Sequence, residues 1–128
     1  QMKVNVYAPH YLSKFIAESM KLKSAGHIFN ICSIASVKPV INAGSYSISK
    51  AALLSLSKVL REALMPFGIK VTAILPGATL TDSWAGTTLP SERFIAPEDV
   101  ASSIINCLQM SAGANVEEVL IRPLKGDI

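Results

Sequence analysis

Three short apolar runs, HIFNIC at 27–32, IKVTAIL at 69–75 and EEVLIRP at 117–123, each follow a segment of helical length and period. The first helical segment spans 3–23 and is closed by Gly26. The second runs from about 45 to 65 and stops at Pro66 and Gly68. The third starts at Pro97-Glu98-Asp99, where proline suits the first helical position and the acids complement the N-terminal dipole, and it reaches about Met110. Between them, 33–44 and 77–95 read as loops. Strands that alternate with helices are joined by right-handed crossovers into a parallel sheet. The expected fold class is therefore α/β, with three helix–strand units.

Three strands make a small sheet with an open edge, which is a liability in an independent domain. The 128 residues contain no linker or repeat that would divide them. They read as one partial domain spanning 1–128, the C-terminal half of a Rossmann-like, doubly wound parallel sheet. With 50% hydrophobic residues the chain can bury a real core.

The net charge is +3, spread over Lys3, Lys14, Lys21, Lys23, Lys38, Lys58 and Lys70 without a run. A nucleic-acid surface needs clustered basic residues, so no nucleic-acid partner is expected. No apolar run approaches the ~18 residues of a membrane span, so no membrane role is expected and the cytoplasm is the default location. Cys32 and Cys107 lie far apart in apolar surroundings and read as buried packing residues. His10 and His27 have no companions at ligand spacing, so no metal is expected.

Chemistry first suggests itself at GSYSISK, 44–50, which places Tyr46 and Lys50 four residues apart at the start of the second helix. On a helical wheel Ile48, Ala52, Leu56, Val59 and Ala63 form an apolar stripe widened by Leu53 and Leu60. Tyr46 and Lys50 stand together at its edge, while Ala51 and Leu54 leave apolar surface outside it. Tyrosine has a pKa of ~10, and bringing it near 7 needs ~4 kcal/mol of relative phenolate stabilisation. A lysine cation ~5–6 Å away supplies ~3 kcal/mol at an effective dielectric of 20. The spacing suits an acid–base pair, but it is also what a solvated surface pair would have. With three Tyr and nine Lys, one such spacing arises by chance about 0.2 times.

Position adds to the spacing. Ser33 directly follows the first apolar run, at the carboxyl end of a strand, where open α/β sheets bind ligands. The next helix must begin on that rim, which brings Tyr46 there. Pro76-Gly77 ends the second run at the same rim, where glycine permits close approach to the backbone, and Thr79 and Thr81 follow.

In this order, Asn5 in NVYA, Ser33 in FNICSIAS, Tyr46 and Lys50 in YSISK, PGATLT at 76–81 and APEDVA at 96–101 resemble the C-terminal half of a short-chain dehydrogenase/reductase. The resemblance covers nearly the whole chain. It implies an NAD(P)-dependent oxidoreductase that moves hydride between a nicotinamide cofactor and a carbonyl or alcohol substrate, of 3-oxoacyl or small hydroxy-acid type. Tyr46 would be the general acid–base and Lys50 would lower its pKa and hold the nicotinamide ribose. Ser33 would bind the substrate oxygen, and Asn5 would hold a water that relays protons to Lys50. Pro76, Gly77, Thr79 and Thr81 would line the nicotinamide side, while Trp84 and Phe94, in the loop DSWAGTTLPSERF, would contact substrate. The cofactor would be NAD or NADP, with NADP slightly favoured. The partners would be a small carbonyl or alcohol compound and further copies of the chain, paired through helices 3–23 and 45–65.

The family's Gly-rich phosphate turn is absent: the seven glycines never form G-x-G-x-x-G. These 128 residues alone are therefore expected to be inactive. The ending VEEVLIRPLKGDI also lacks the family's common Asp-Gly-Gly turn and resembles the branch of carbonyl and hydroxy-acid dehydrogenases. Two other functions are the alternatives: a non-catalytic Rossmann-like binding or regulatory protein that kept the fold, which has no need of Asn5, Ser33, Tyr46 and Lys50 together, and a nucleotide-sugar epimerase, which uses a similar Tyr/Lys pair.

Overall fold

The computed structural model describes all residues from Gln1 to Ile128. Lys3–Tyr7 form a π-helical turn that runs directly into helix α1, Ala8–Lys23. Pro9 has no N–H to give the carbonyl of Asn5 four residues back, and the helix is widened where that bond is missing. Helix α1 ends with Ser24 in the left-handed conformation, φ 52°, rather than at Gly26. Gly26 instead opens strand β1, Gly26–Ile31, where a Cβ would collide with the Met20 side chain.

Helix α2 spans Gly44–Leu64, strand β2 Ile69–Pro76, helix α3 Pro97–Leu108 and strand β3 Glu118–Ile121. The strands pair in the order β1-β2-β3, all parallel, with Ile31 opposite Ile74 and Ile74 opposite Val119. This is the expected α/β architecture, half of a Rossmann-like sheet. β3 is shorter than the expected 117–123, since Pro123 has no N–H to continue a ladder. The stretch 77–95 is more ordered than a plain loop. Thr79 pairs with Ile95, the Leu80 N–H donates to the Ile95 carbonyl at 3.0 Å, and 3-10 turns form at Asp82–Trp84 and Ser91–Arg93.

β2 is the middle strand, and its Val71, Thr72, Ala73 and Ile74 are wholly buried. Cys32, Leu53, Leu54, Ala73 and Leu75 form one core cluster, and Ala17, Leu64, Ile69 and Val71 a second. Cys32 is thus the packing residue its surroundings suggest.

The apolar stripe found the inner face of α2 only in part: Leu53 is buried, and Leu56 and Leu60 pack against the core clusters. Ile48 and Val59 of the apolar stripe are exposed, at 67% and 66%. The buried residues are Ser47, Ser49, Leu53, Leu54, Ser57, Arg61 and Leu64, so Leu54 is core and leaves no free apolar surface. The cause is close approach. Small serines let the helix lie close to its neighbours, and each is hydrogen-bonded: Ser57 to Asn30 on β1, Ser49 to Asn5, and Ser47 to the Val40 N–H. Asn30 Nδ2 donates to Ser57 Oγ at 2.9 Å, and Ser57 Oγ donates to the Leu53 carbonyl at 3.0 Å. A buried hydroxyl satisfied in this way carries no desolvation penalty large enough to turn it outward.

Candidate active site

β1 ends at Ile31 and delivers Ser33 in extended conformation, φ −160°, to the carboxyl rim of the sheet. Ser33 caps the 3-10 turn Ile34–Ser36. Its Oγ accepts from the Ala35 N–H at 3.1 Å, and its own N–H donates to Ser36 Oγ at 3.2 Å. Ser36 Oγ then donates to the Lys50 carbonyl at 2.8 Å, tying this turn to α2. The Val40 N–H donates to Ser47 Oγ at 2.9 Å and makes a second tie. Tyr46 and Lys50 are set one helical turn apart on the segment these bonds hold.

Lys50 Nζ donates to the Ile31 carbonyl at 2.9 Å and lies 5.7 Å from the centre of the Tyr46 ring. Lys50 has two further N–H donors, and Ser33 Oγ, which only accepts from protein, keeps its own proton to give.

A cavity of about 360 Å³ brings these groups together. Ser33, Tyr46 and Lys50 line it together with Pro76, Gly77, Thr79, Thr81 and Trp84. Thr79 Oγ1 donates to the Gly77 carbonyl at 3.1 Å, and Thr81 Oγ1 shares a hydrogen bond with Ser83 Oγ at 2.9 Å. Two expected residues lie outside this lining. Asn5 sits behind it, with Nδ2 donating to Ser49 Oγ at 2.9 Å, and Ser49 Oγ donating to the Tyr46 carbonyl at 2.8 Å. Asn5 and Lys50 share the neighbouring groove between α1 and β1 instead. Phe94 is buried and packs edge-on against Trp84, with ring centres 4.9 Å apart.

Residues that sequence reasoning did not single out also belong to the site. Ser83, Val40 and Ile128 line the cavity, and Ser36 orients Ser33. The Ser33-x-x-Ser36 spacing is a capping signal that could have revealed Ser36. Ile128 lies 82 residues beyond Tyr46 and has no local signal. Beside Ser33, burial pushes the Cys32 thiol above its usual range, so it stays neutral. Nowhere do three His, Cys, Asp or Glu side chains gather as a metal site would need, and no helix is long and apolar enough to cross a membrane.

A phenol hydroxyl, a cation beside its ring and a serine hydroxyl with a free proton can together handle a proton at a polar oxygen of a ligand held at this rim. Comparison with known proteins identifies the family. The family model for short chain dehydrogenases matches residues 1–90. The chain is 35% identical over 121 residues to an uncharacterized oxidoreductase of Staphylococcus saprophyticus, covering 94% of this chain and 52% of that protein. It is 31% identical to one of Staphylococcus aureus over the same span. Among solved structures, a betaketoacyl-[ACP] reductase from Bacteroides thetaiotaomicron superposes with a TM-score of 0.82 at 33% identity, over 97% of this chain and 53% of that one. A metagenomic short-chain oxidoreductase in complex with NADP superposes with a TM-score of 0.79 at 28% identity, over 96% and 49%. The chain therefore spans about half the length of its relatives, and over that half its sheet, its rim and its ordered motifs make it a member of the short-chain dehydrogenase family.

Proposed function

We propose that these residues form the catalytic half of an NAD(P)-dependent oxidoreductase acting on a small carbonyl or hydroxyl compound. The observation that carries this reading is the convergence of Ser33, Tyr46 and Lys50 with Pro76, Gly77, Thr79 and Thr81 on one cavity. The nicotinamide end of a dinucleotide fits these residues. Lys50 has N–H groups to spare for ribose hydroxyls and lines the same cavity as Pro76, Gly77, Thr79 and Thr81, although the close approach that Gly77 permits is taken by Pro123. When bound, the nicotinamide would accept or supply the hydride. The relative solved with NADP supports such a cofactor, with NADP slightly favoured over NAD.

The chain's own groups handle the proton. In the reducing direction Tyr46 Oη gives its proton to the carbonyl oxygen as negative charge develops there. Ser33 Oγ donates a hydrogen bond to the same oxygen and aligns it. Lys50 lowers the cost of the resulting phenolate through its charge. Asn5, reaching the groove behind Lys50, holds a water through which the proton is replaced. Trp84 covers the substrate, and Phe94 acts beneath it by fixing the indole. Copies of the chain pair through the helical segments 3–23 and 45–65, whose Phe15, Ile48 and Val59 are exposed.

No residue here provides a phosphate cradle, so residues 1–128 alone would hold the cofactor very weakly. The test uses the full-length protein, with NADPH or NADH and a panel of small aldehydes, ketones and 3-oxoacyl thioesters, followed by absorbance of the reduced cofactor. Stoichiometric oxidation with at least one carbonyl is expected. Cofactor binding without net oxidation by any member would favour a binding protein or an epimerase and overturn the reading.

A further inference from the structure

The chain does not leave the sheet after β3. The Gly77 N–H donates to the Ile121 carbonyl at 2.7 Å, and Pro123 packs where Gly77 lacks a side chain, so an added Cβ would lie 3.0 Å from Pro123 Cδ. The Gly126 N–H then donates to the Pro123 carbonyl at 2.9 Å. Gly126 has φ 96°, a left-handed conformation that turns the chain back toward the rim. Arg93 Nη2 donates to the Gly126 carbonyl at 3.2 Å and ties this turn to the loop beneath Trp84.

Asp127 comes next and is held from two sides. Arg122 Nε donates to Oδ1 at 3.1 Å and Nη2 to Oδ2 at 3.2 Å, a two-pronged grip that fixes the carboxylate plane. Lys38 Nζ, from the loop after Ser33, donates to Oδ2 at 3.1 Å. With Asp127 so placed, Ile128 lines the cavity that holds Ser33, Tyr46 and Trp84, and Val40 lines it too. Ile128 and Asp127 also border a smaller space of about 140 Å³ against Ile34, Pro39 and Ala78. The tail is thus seated on the loop that carries Ser33. The hydrogen bonds from Arg122, and then from Lys38, hold the Asp127 carboxyl below its usual range, in keeping with an ionised group gripped by two cations.

We propose that Asp127, clasped by Lys38 and Arg122, fastens residues 122–128 as a strap that seats Ile128 as an apolar wall of the substrate end, limiting the size of the carbonyl substituent that fits. This rests on the reading that the cavity holds a carbonyl substrate. Asp127 is a positioning residue, and Ile128 and Val40 are the walls that select.

The test compares the full-length wild type with Asp127→Asn, Asp127→Glu and Ile128→Ala, measuring kcat/KM for a series of straight-chain aldehydes from short to long. Removing methylene-sized contacts from an apolar pocket changes discrimination by about tenfold or more. Asp127→Asn and Ile128→Ala should each raise the long-to-short ratio of kcat/KM by about tenfold. Asp127→Glu, which keeps the charge, should stay nearer the wild type. Trypsin should also cut after Lys125 faster in Asp127→Asn, where the strap is loosened, and no faster in Asp127→Glu. Turnover with an unchanged ratio in both Asp127→Asn and Ile128→Ala would overturn the strap and leave the oxidoreductase reading intact. No turnover of any carbonyl by the wild type would overturn that reading, and the strap's role in selection with it.

Discussion

Ser33 can offer a proton to a substrate oxygen because its neighbours satisfy everything else about it. The Ala35 N–H fills its acceptor side and Ser36 takes its N–H. The same division of roles occurs at the other end of the sheet, away from the rim. Thr72 Oγ1 donates to the Val116 carbonyl at 2.7 Å, which leaves it to accept from His27 Nε2, also 2.7 Å away. His27 stacks on Phe29, with ring centres 4.0 Å apart. Burial, and then the charge of Lys70, holds its pKa below the ordinary 6.5. The unfolded chain therefore binds a proton more readily than the folded one. His27 contributes its full stability above pH 6.5 and loses it as pH falls through that value toward the lower folded pKa. His27→Gln, which can still donate to Thr72, should flatten the loss of urea-unfolding stability between neutral pH and about pH 5. An identical acid loss in wild type and His27→Gln would contradict this. Tyr46 and Lys50 were legible in the sequence because a helix makes residues four apart neighbours. Ser33 was legible because a strand's end can be counted. The strap residues were not, since Lys38 and Asp127 meet across 89 positions.

The three helix–strand units were legible because their periods differ and proline and glycine mark their ends. The inner face of α2 was legible at Leu53, Leu56 and Leu60 but not at its buried serines, because the apolar wheel measures hydrophobicity and the sheet selected size. Ser49 and Ser57 are wholly buried while Ile48 and Val59 face out. Ser57→Leu should therefore destabilise strongly, by about 1–3 kcal/mol from overpacking. The stranded Asn30 amide should add about 1–3 kcal/mol. Val59→Ser, on the outward face, should stay within about 0.5 kcal/mol in the dissociated protein. Urea unfolding of both variants checks the pair, and the reverse order of effects would restore the wheel's assignment.

Across the whole molecule, two surfaces are unlike an ordinary exterior. The free side of β1 and the adjoining groove, about 520 Å³ and lined by Leu12, Ile16, Met20 and Ile28, leave strand and helix open. The second comprises exposed apolar side chains on both long helices, Ile48 and Val59 of α2 and Phe15 of α1, the last 80% exposed. If copies pair through the helices, Val59→Glu combined with Phe15→Glu should convert a multimer to monomers in light scattering after size exclusion, because it places charge in an apolar interface. An unchanged mass for the double variant would contradict pairing through these helices.

Tyr46→Phe in the full-length protein removes one oxygen and leaves the helix, Lys50 and the cavity walls in place. The decisive measurement is its single-turnover rate of reduced-cofactor oxidation with the best carbonyl substrate, beside the wild type. General acid catalysis contributes about 10²–10⁴-fold, so the rate should fall by that much while cofactor affinity is largely kept. A Tyr46→Phe protein that turns over at the wild-type rate would contradict the assignment of Tyr46 as the acid–base, and with it the chemistry proposed for this rim.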